Sequence, residues 1–242
     1  MMVISTLKIK HVRNNEKITL YPSIIRKGDK VFLIDCGYEE SFEEFFIALK
    51  NEGLCIDQIN GIFISHDDID HLGGLKKFKE KNKSIQIFCG VLEENSISGK
   101  IKSERLIQAE NLLDSMPDIS KSWALDFIQS LKDIKRFEVD KTFEDGEVFE
   151  NDIIIIHTPG HTRGHISFFI PEQKTLIAND ALVLENGEFG LANPSFTLDL
   201  QNAINSIHKL KELKPQKVIC YHGGILEMDI DSKLDKLISQ YL

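Results

Sequence analysis

Histidine and aspartate residues occur in short clusters in this sequence, and each cluster follows a run of apolar residues that is typical of a buried β-strand. The densest cluster, at residues 66–71, reads His-Asp-Asp-Ile-Asp-His and follows the segment 61–65. Three further clusters centre on His161, Asp180 and His222. The pattern therefore predicts a fold that brings several strand ends to one rim.

Imidazole and carboxylate groups that converge from several strand ends are the ligands that a rigid site for two metal ions requires, because such ions lie about 3.5 to 4 Å apart. Any one cluster could equally well serve local hydrogen bonds in a turn, but four clusters together favour metal binding. The candidate metal ligands are His66, Asp68, Asp70, His71, His161, Asp180 and His222.

Apolar spacing predicts a mixed α/β chain whose 242 residues form one domain, 1–242, with a two-helix insertion at about 91–140. A capping-box pattern at Ser41 and Glu44 begins one helix. An amphipathic helix is expected at 198–213. The expected extended segments are 59–64, 85–89, 147–157, 165–170, 175–179 and 217–221.

The series His66-x-Asp68-x-Asp70-His71, followed by His161, Asp180 and His222, resembles the HxHxDH, His, Asp, His series of the metallo-β-lactamase superfamily. The segment 33–37, Leu-Ile-Asp-Cys-Gly, is similar to that family's early aspartate-glycine motif. This resemblance implies an α/β fold: a four-layer αββα sandwich of two mixed β-sheets flanked by helices, with the metal ions on the rim.

The resemblance also implies a role for each candidate residue. The first ion would be held by His66, Asp68 and His161, and the second by Asp70, His71 and His222, with Asp180 between the ions. Asp35 and His165 would orient the ligands through hydrogen bonds.

Asp68 stands where the family has a second histidine. Two divalent ions with three carboxylates and one hydroxide sum to about zero, whereas the usual ligands leave about +1, so we expect a less acidified water molecule. We expect two divalent metal ions, with zinc preferred, although a carboxylate ligand shifts the preference toward iron or manganese. As an alternative, Asp68 contacts the first ion through water, which would leave essentially one ion.

The family chemistry implies a metal-dependent hydrolase, in which a metal-bound hydroxide attacks a small ester, thioester or lactone and Asp70 carries the proton. Two other enzymes stay open: a phosphodiesterase or nuclease of the same fold, and a di-iron redox protein similar to the flavo-diiron core. A metal-binding protein without catalytic activity is a further alternative.

A formal charge of −9, from 29 basic and 38 acidic residues, disfavours a nucleic-acid partner. The start of the sequence lacks a signal-peptide pattern, and no apolar run approaches membrane-spanning length. We therefore expect a cytoplasmic monomer or homodimer that acts on a small molecule away from membranes. The four widely spaced cysteines are expected to be reduced and buried.

Several residues near the clusters are expected to take no part in the site. Asp67 is predicted to be solvated, and His11 and His208 to lie on the surface. Alternation in an extended strand would turn Tyr221 away from the site. The insertion and the loop at 188–196 are expected to border the substrate pocket.

Overall fold

A computed structural model describes residues 2–13, 16–193 and 196–241 of the chain. The strands are β1 (Met2–Thr6), β2 (Ile9–Arg13), β3 (Glu16–Leu20), β4 (Ser23–Lys27), β5 (Lys30–Ile34), β6 (Ile59–Ile64), β7 (Gln86–Gly90), β8 (Lys141–Phe143), β9 (Val148–Phe149), β10 (Ile153–His157), β11 (Ile166–Ile170), β12 (Thr175–Asn179), β13 (Val183–Glu185), β14 (Glu188–Gly190), β15 (Lys217–Cys220) and β16 (Gly224–Leu226). The α-helices are α1 (Phe42–Asn51), α2 (Ile69–Leu72), α3 (Leu75–Lys81), α4 (Glu94–Ile97), α5 (Glu104–Leu113), α6 (Asp118–Asp133), α7 (Leu200–Glu212) and α8 (Ile230–Ser239).

Two six-stranded sheets form the centre of the molecule, with the strand orders β1-β4-β5-β6-β7-β8 and β16-β15-β12-β11-β10-β9. Strands β5 to β8 are parallel to one another, whereas the β1–β4 pair and the β4–β5 pair are antiparallel. In the second sheet the β12 and β15 pair is parallel and the other pairs are antiparallel. Both sheets are therefore mixed, as the resemblance implies.

Alternation along the strands gives each sheet two buried faces. On β6, Ile62 and Ile64 pack toward α1 and α3, whereas Phe63 points into the layer between the sheets. Phe63 contacts Phe168 of the second sheet, with 5.1 Å between the ring centroids. On β12, Ile177 joins the same inner layer, and its neighbours in the strand pack toward α7 and α8. The four-layer αββα sandwich is confirmed.

The segment between β7 and β8 is helical, and contains α4, α5 and α6 rather than the two helices predicted for 91–140. Helices α5 and α6 pack on each other through a small apolar cluster of Leu106, Ile128 and Leu131. Among residues 2–13, 16–193 and 196–241, no helix combines the length and apolar character needed to cross a membrane.

One rim of the sandwich collects the four histidine and aspartate clusters. Strands β6, β12 and β15 each end there, and the loop 158–165 joins β10 to β11 at the same rim. The backbone N–H of Ile166 donates a hydrogen bond to the Ser65 carbonyl, with 3.1 Å between N and O, and so ties the two sheets together. The strand order thus brings the clusters into one place.

Candidate metal centre

The chain turns sharply after β6, and Asp35 fixes the side chains in that turn. Asp35 has a left-handed backbone (φ 61°) and is fully buried. Its carboxylate accepts hydrogen bonds from the Ser65 N–H at 2.8 Å and hydroxyl at 2.7 Å, and from His71 Nδ1 at 2.8 Å. Because the Ser65 hydroxyl donates to Asp35, it accepts from His66 Nδ1 at 2.9 Å. Both imidazoles are therefore held with Nε2 facing the rim.

His161 and His165 come from the tight loop between β10 and β11. Gly160 has φ 136° and lies so close to α7 that a Cβ there would stand 2.3 Å from the Ala203 nitrogen. Both ring nitrogens of His165 are used in hydrogen bonds: Nδ1 with the Thr158 hydroxyl at 2.8 Å, and Nε2 as acceptor from the Asp180 N–H at 3.2 Å. His165 therefore holds the Asp180 loop in position.

Six of the candidate ligand atoms are a few ångströms apart around two points. Oδ2 of Asp68 lies 3.0 Å from His161 Nε2 and 3.5 Å from His66 Nε2. Oδ2 of Asp70 lies 3.2 Å from His222 Nε2 and 3.7 Å from His71 Nε2.

Asp180 lies between these two groups. Its Oδ2 is 3.4 Å from both His71 Nε2 and His222 Nε2, and 3.7 Å from His161 Nε2. Ligand atoms about 2.0 to 2.2 Å from a tetrahedral ion are about 3.3 to 3.6 Å apart, so both groups have the spacing that a divalent ion needs.

Buried atoms without hydrogen-bond partners show that these groups fit metal ions. Within the described part of the chain, Nε2 of His66, Nε2 of His71 and Oδ1 of Asp180 are buried and make no hydrogen bond of good geometry, although carboxylate oxygens lie 3.4 to 3.5 Å from the two ring nitrogens. A buried polar atom without a partner is costly, and metal ions held by the two groups would satisfy these atoms. The donor set of imidazoles and carboxylates suits zinc, iron or manganese.

The charges at the site favour bound cations. Burial alone would lower the pKa of His222, but the carboxylates of Asp180 and Asp70 raise it to about 10. Burial would also lower the pKa of His71, but the carboxylates of Asp180 and Asp35 more than offset this effect. The pKa of His71 therefore lies well above its ordinary value. The carboxylates therefore stabilise positive charge at the second group, which is where a metal ion would supply it.

At the first group, by contrast, burial and the neighbouring His71 lower the pKa of His66 to about 4. The His66 ring is therefore neutral at physiological pH. A neutral imidazole with a free Nε2 is the form that binds a metal.

Residues 22–222, most of the chain, match the sequence model of the Metallo-beta-lactamase superfamily. The chain belongs to this superfamily. It is thereby a metallo-hydrolase of a superfamily whose fold binds divalent metal ions.

Two similar curated proteins bear the name of a probable metallo-hydrolase. The probable metallo-hydrolase YflN of Bacillus subtilis (strain 168) is 28% identical over 212 residues, which span 79% of this chain and 74% of YflN. The probable metallo-hydrolase YybB of the same organism is 22% identical over 207 residues, or 86% of this chain and 82% of YybB.

Solved structures of the superfamily share the fold. The metallo-beta-lactamase family protein TTHA1429 from Thermus thermophilus has a TM-score of 0.71 at 22% identity, over 98% of this chain and 79% of that one. The superfamily protein ST1585 from Sulfolobus tokodaii has a TM-score of 0.67 at 22% identity, over 98% of this chain and 85% of that one.

Asp68, which stands where the superfamily has a second histidine, is paired with an arginine in the structure. Asp68 receives two hydrogen bonds from the guanidinium of Arg105, with Nε 2.9 Å from Oδ1 and Nη2 2.8 Å from Oδ2. Burial would raise the pKa of the Asp68 carboxyl, but Arg105 and the hydrogen bond with His161 hold it well below its usual range. Arg105 was not predicted from the sequence. The signal for it was the unmatched negative charge at position 68.

The prediction that Asp67 is solvated is wrong. Asp67 is buried and lies 3.4 Å from the guanidinium of Arg136. It lies near Glu93, which accepts hydrogen bonds from the Thr162 hydroxyl at 2.5 Å and the Gly164 N–H at 3.1 Å. The chain turns at Ser65 rather than continuing as a strand, so alternation does not carry Asp67 to the surface. These buried acids join the insertion to the His161 loop.

Three other expectations need correction or detail. Cys55 is exposed, whereas the other three cysteines are buried as expected. His11 is half-buried: its Nδ1 lies 3.0 Å from the Ser41 hydroxyl. The expectation that Tyr221 turns away from the site is wrong, because β15 ends at Cys220 and strand alternation does not extend to Tyr221. Tyr221 packs against the His71 ring, with 4.1 Å between centroids, and its hydroxyl donates to the Asp70 carbonyl at 2.6 Å.

A cavity of about 800 Å³ opens over the candidate ligands. Both segments expected to border it do so: α5 and α6 of the insertion form one wall, and residues 191–193 with Phe196 form another. Pro194 and Ser195 of the loop at 188–196 lie outside the described residues. The cavity lining also includes Asp68, Asp70, His161, Asp180 and His222.

Proposed function

We propose that this metallo-hydrolase cleaves a small, uncharged ester, thioester or lactone at the rim where the seven candidate ligands meet. The observation that carries the proposal is the composition of the cavity. Five candidate metal ligands line the cavity, and apolar side chains line it beside them. A substrate with a carbonyl group attached to an apolar part fits both surfaces.

The apolar wall has an aromatic centre. Trp123 stacks on Phe127 with 5.5 Å between ring centroids, and Phe127 meets Phe196 edge-on at 6.0 Å. Leu131 and Leu191 extend this wall. These side chains offer an acyl or alkyl group a surface from which water is excluded.

The charges in the cavity support an uncharged substrate over a phosphodiester or nucleic acid. Of the described residues that line the cavity, Arg105 is the single Lys or Arg. Its guanidinium donates two hydrogen bonds to Asp68. Glu16 and Glu185 add negative charge to the lining. The lysines of α3 lie elsewhere, and Lys76 pairs with Glu39 at 2.7 Å. Among the lining residues that the structure describes, no cationic side chain is left unpaired to bind a phosphate group.

The side chains at the rim divide the work of hydrolysis. Divalent ions held by His66, Asp68 and His161, and by Asp70, His71, His222 and Asp180, would supply Lewis-acid polarisation and the acidification of water. Asp70 lines the cavity, and its carboxylate, fixed by His222 at 3.2 Å, can accept a proton from water and pass it to the leaving group. The apolar wall orients the acyl group and limits access of bulk water.

One relative supports the thioester member of this class. The hydroxyacylglutathione hydrolase of Brucella anthropi is 25% identical over 138 residues, which cover 56% of this chain and 36% of that protein. The four cysteines are unpaired, which fits a reducing compartment, and the cytoplasm remains our proposed location.

A substrate panel with matched leaving groups tests the proposal. We expect purified protein loaded with Zn²⁺ or Mn²⁺ to hydrolyse p-nitrophenyl butyrate, the matching thioester and a lactone. We expect at least about 100-fold lower kcat/KM with bis(p-nitrophenyl) phosphate, which carries the same chromophore. Preferred turnover of the phosphodiester would overturn the proposal. The variant Asp70→Asn distinguishes catalysis by the site from a contaminant, because it should lose the activity.

A further inference from the structure

Arg105 occupies an unusual position for an arginine. It lies in the first turn of α5, in the insertion, and only 2% of the residue is exposed. The Ser103 hydroxyl accepts a hydrogen bond from the Leu106 N–H and caps this helix. The helix therefore places a guanidinium beside the candidate metal centre. A positive charge there would repel metal ions unless an anionic partner neutralised it.

The guanidinium contacts four side chains, one of which is His161, whose Nε2 lies 3.5 Å from Nη2. Besides its two hydrogen bonds to Asp68, Nη1 donates to Gln108 Oε1 at 2.6 Å. The ring of Phe196 lies 5.2 Å from the guanidinium carbon, within cation–π range. Because arginine presents planar donors in a fixed fork, this cradle fixes the plane of the Asp68 carboxylate as well as its position.

This geometry leaves Asp68 one oxygen for a metal ion. Both carboxylate oxygens accept from the guanidinium, but only Oδ2 also faces the ring nitrogens of His66 at 3.5 Å and His161 at 3.0 Å. An oxygen with two lone pairs can accept a hydrogen bond and ligate an ion at the same time. Asp68 is therefore arranged to give a single-oxygen ligand, as an imidazole would give a single nitrogen.

The charge of the pair matches that of a neutral histidine. Leaving the attacking water aside, two divalent ions with two aspartates and neutral histidines carry about +2. A third aspartate lowers this sum to about +1, and the guanidinium restores it to about +2. Arg105 and Asp68 together thus reproduce both the single donor atom and the net charge of the superfamily's second histidine.

We propose that Arg105 is a positioning residue that holds Asp68 as a single-oxygen ligand of the first metal ion and offsets the negative charge that Asp68 introduces in place of a neutral histidine. The inference rests on the metal centre described under the proposed function, but not on the substrate. The expectation that Asp68 makes the bound water less acidic is thereby revised, because that expectation did not include a guanidinium.

A double-mutant cycle measured by metal binding tests the pair. Chelator-treated protein is titrated with Co²⁺, followed by visible absorption, and with Zn²⁺, followed by calorimetry. We expect two ions in the wild-type protein. In Arg105→Met the affinity for the first ion should fall by about tenfold to 100-fold, with altered Co²⁺ absorption, while the second ion binds within about threefold of wild type.

The single variant Asp68→His should also weaken the first ion by about tenfold, because it leaves the guanidinium unpaired beside the imidazoles. The double variant D68H/R105M has the ordinary ligand set and should return within about threefold of wild type. Arg105→Lys, which keeps the charge but not the fork, should lie between wild type and Arg105→Met. Arg26→Met, which removes a half-exposed ion pair with Glu52 away from the cavity, is the control.

Two results would overturn the inference. One is a wild-type protein that binds a single ion, which would mean that the guanidinium takes the place of the first ion. The other is a double variant no better than Asp68→His alone, since a merely structural Arg105 would give additive losses. Circular dichroism of each variant identifies any that fails to fold. Two bound ions and a rescued double variant without ester turnover would retain the inference and reject the proposed substrate.

Discussion

Asp35 and His71 are joined inside the protein by a hydrogen bond of 2.8 Å between Oδ2 and Nδ1, and neither side chain is exposed. The bond ties a left-handed residue at the end of β5 to a candidate ligand in α2, across 36 positions of sequence. It keeps the Nε2 atom of His71 directed at the rim. The orientation of this candidate ligand therefore depends on a residue outside the candidate ligand set.

Replacing Asp35 by asparagine should weaken metal binding without removing any ligand. The amide has nearly the same shape but lacks the negative charge that supports His71, so we expect a loss of about tenfold to 100-fold in affinity for the second ion. Calorimetric Zn²⁺ titration measures this loss. Asp57→Asn, at an exposed position, is the matched control. Equal affinities in the two variants would show that Asp35 does not support the site.

Removing the His161 ring should abolish the first ion. His161→Ala deletes one of three ligands in the group with His66 and Asp68, and we expect one ion fewer per chain together with a loss of at least about 100-fold in kcat. Metal analysis after gel filtration and ester turnover measure the two effects. His208→Ala, at an exposed position of α7, should change neither. Unchanged metal content in His161→Ala would remove His161 from the site.

Glu93 should make the stability of the protein fall as the pH rises. Burial and the charge of Asp67 raise the pKa of Glu93 from 4.5 to about 8. Below the unfolded pKa both states carry the proton. Between pH 4.5 and about 8 the folded state binds more protons than the unfolded state, so stability is lost with increasing pH.

Glu93→Gln should flatten this decline. We expect its free energy of unfolding, relative to wild type, to rise by about 3 kcal/mol between about pH 5.5 and about pH 8.5. Urea denaturation at several pH values, at one metal concentration for both proteins, measures the difference. Because protonation of the metal ligands affects both proteins, it cancels in the comparison. A difference that does not change with pH would contradict the protonated, buried carboxyl.

The aromatic wall should determine preference for acyl length. Trp123 is about half-exposed and stacks on Phe127, so Trp123→Ala should leave the fold intact and remove apolar surface from the cavity. We expect KM for p-nitrophenyl hexanoate to rise about tenfold, with a smaller change for the acetate. Leu125→Ala, at an exposed position of the same helix, is the control. An equal change for both esters would remove Trp123 from substrate binding.

The sequence predicted the central strands and the meeting of the candidate ligands, because the candidate ligands directly follow strands that local patterns mark. The expected extended segment 175–179 matches β12, and 59–64 matches β6. The ligands follow these strands directly, so placing the strands also places the ligands. Short apolar runs bounded by turns carry that information without reference to the rest of the chain.

The same local patterns could not predict that Arg105 contacts Asp68. The place of Arg105 depends on how α5 and α6 pack over the rim, which helical periodicity does not specify. Periodicity marks the apolar face of α5, but it does not show which polar residue beside that face meets a partner 37 positions away. Asp67 was misplaced because the turn after Ser65 breaks the alternation that was assumed. Tertiary packing decided both positions.

Metal content measured together with metal position tests the central claim most directly. The protein would be purified without added metal, analysed by mass spectrometry and crystallised for anomalous diffraction at the absorption edge of the bound element. We expect two divalent ions per chain, one among His66, Asp68 and His161 and one among Asp70, His71 and His222, with Asp180 close to both. Protein that binds no metal even when it is supplied, or ions bound away from these side chains, would contradict the account.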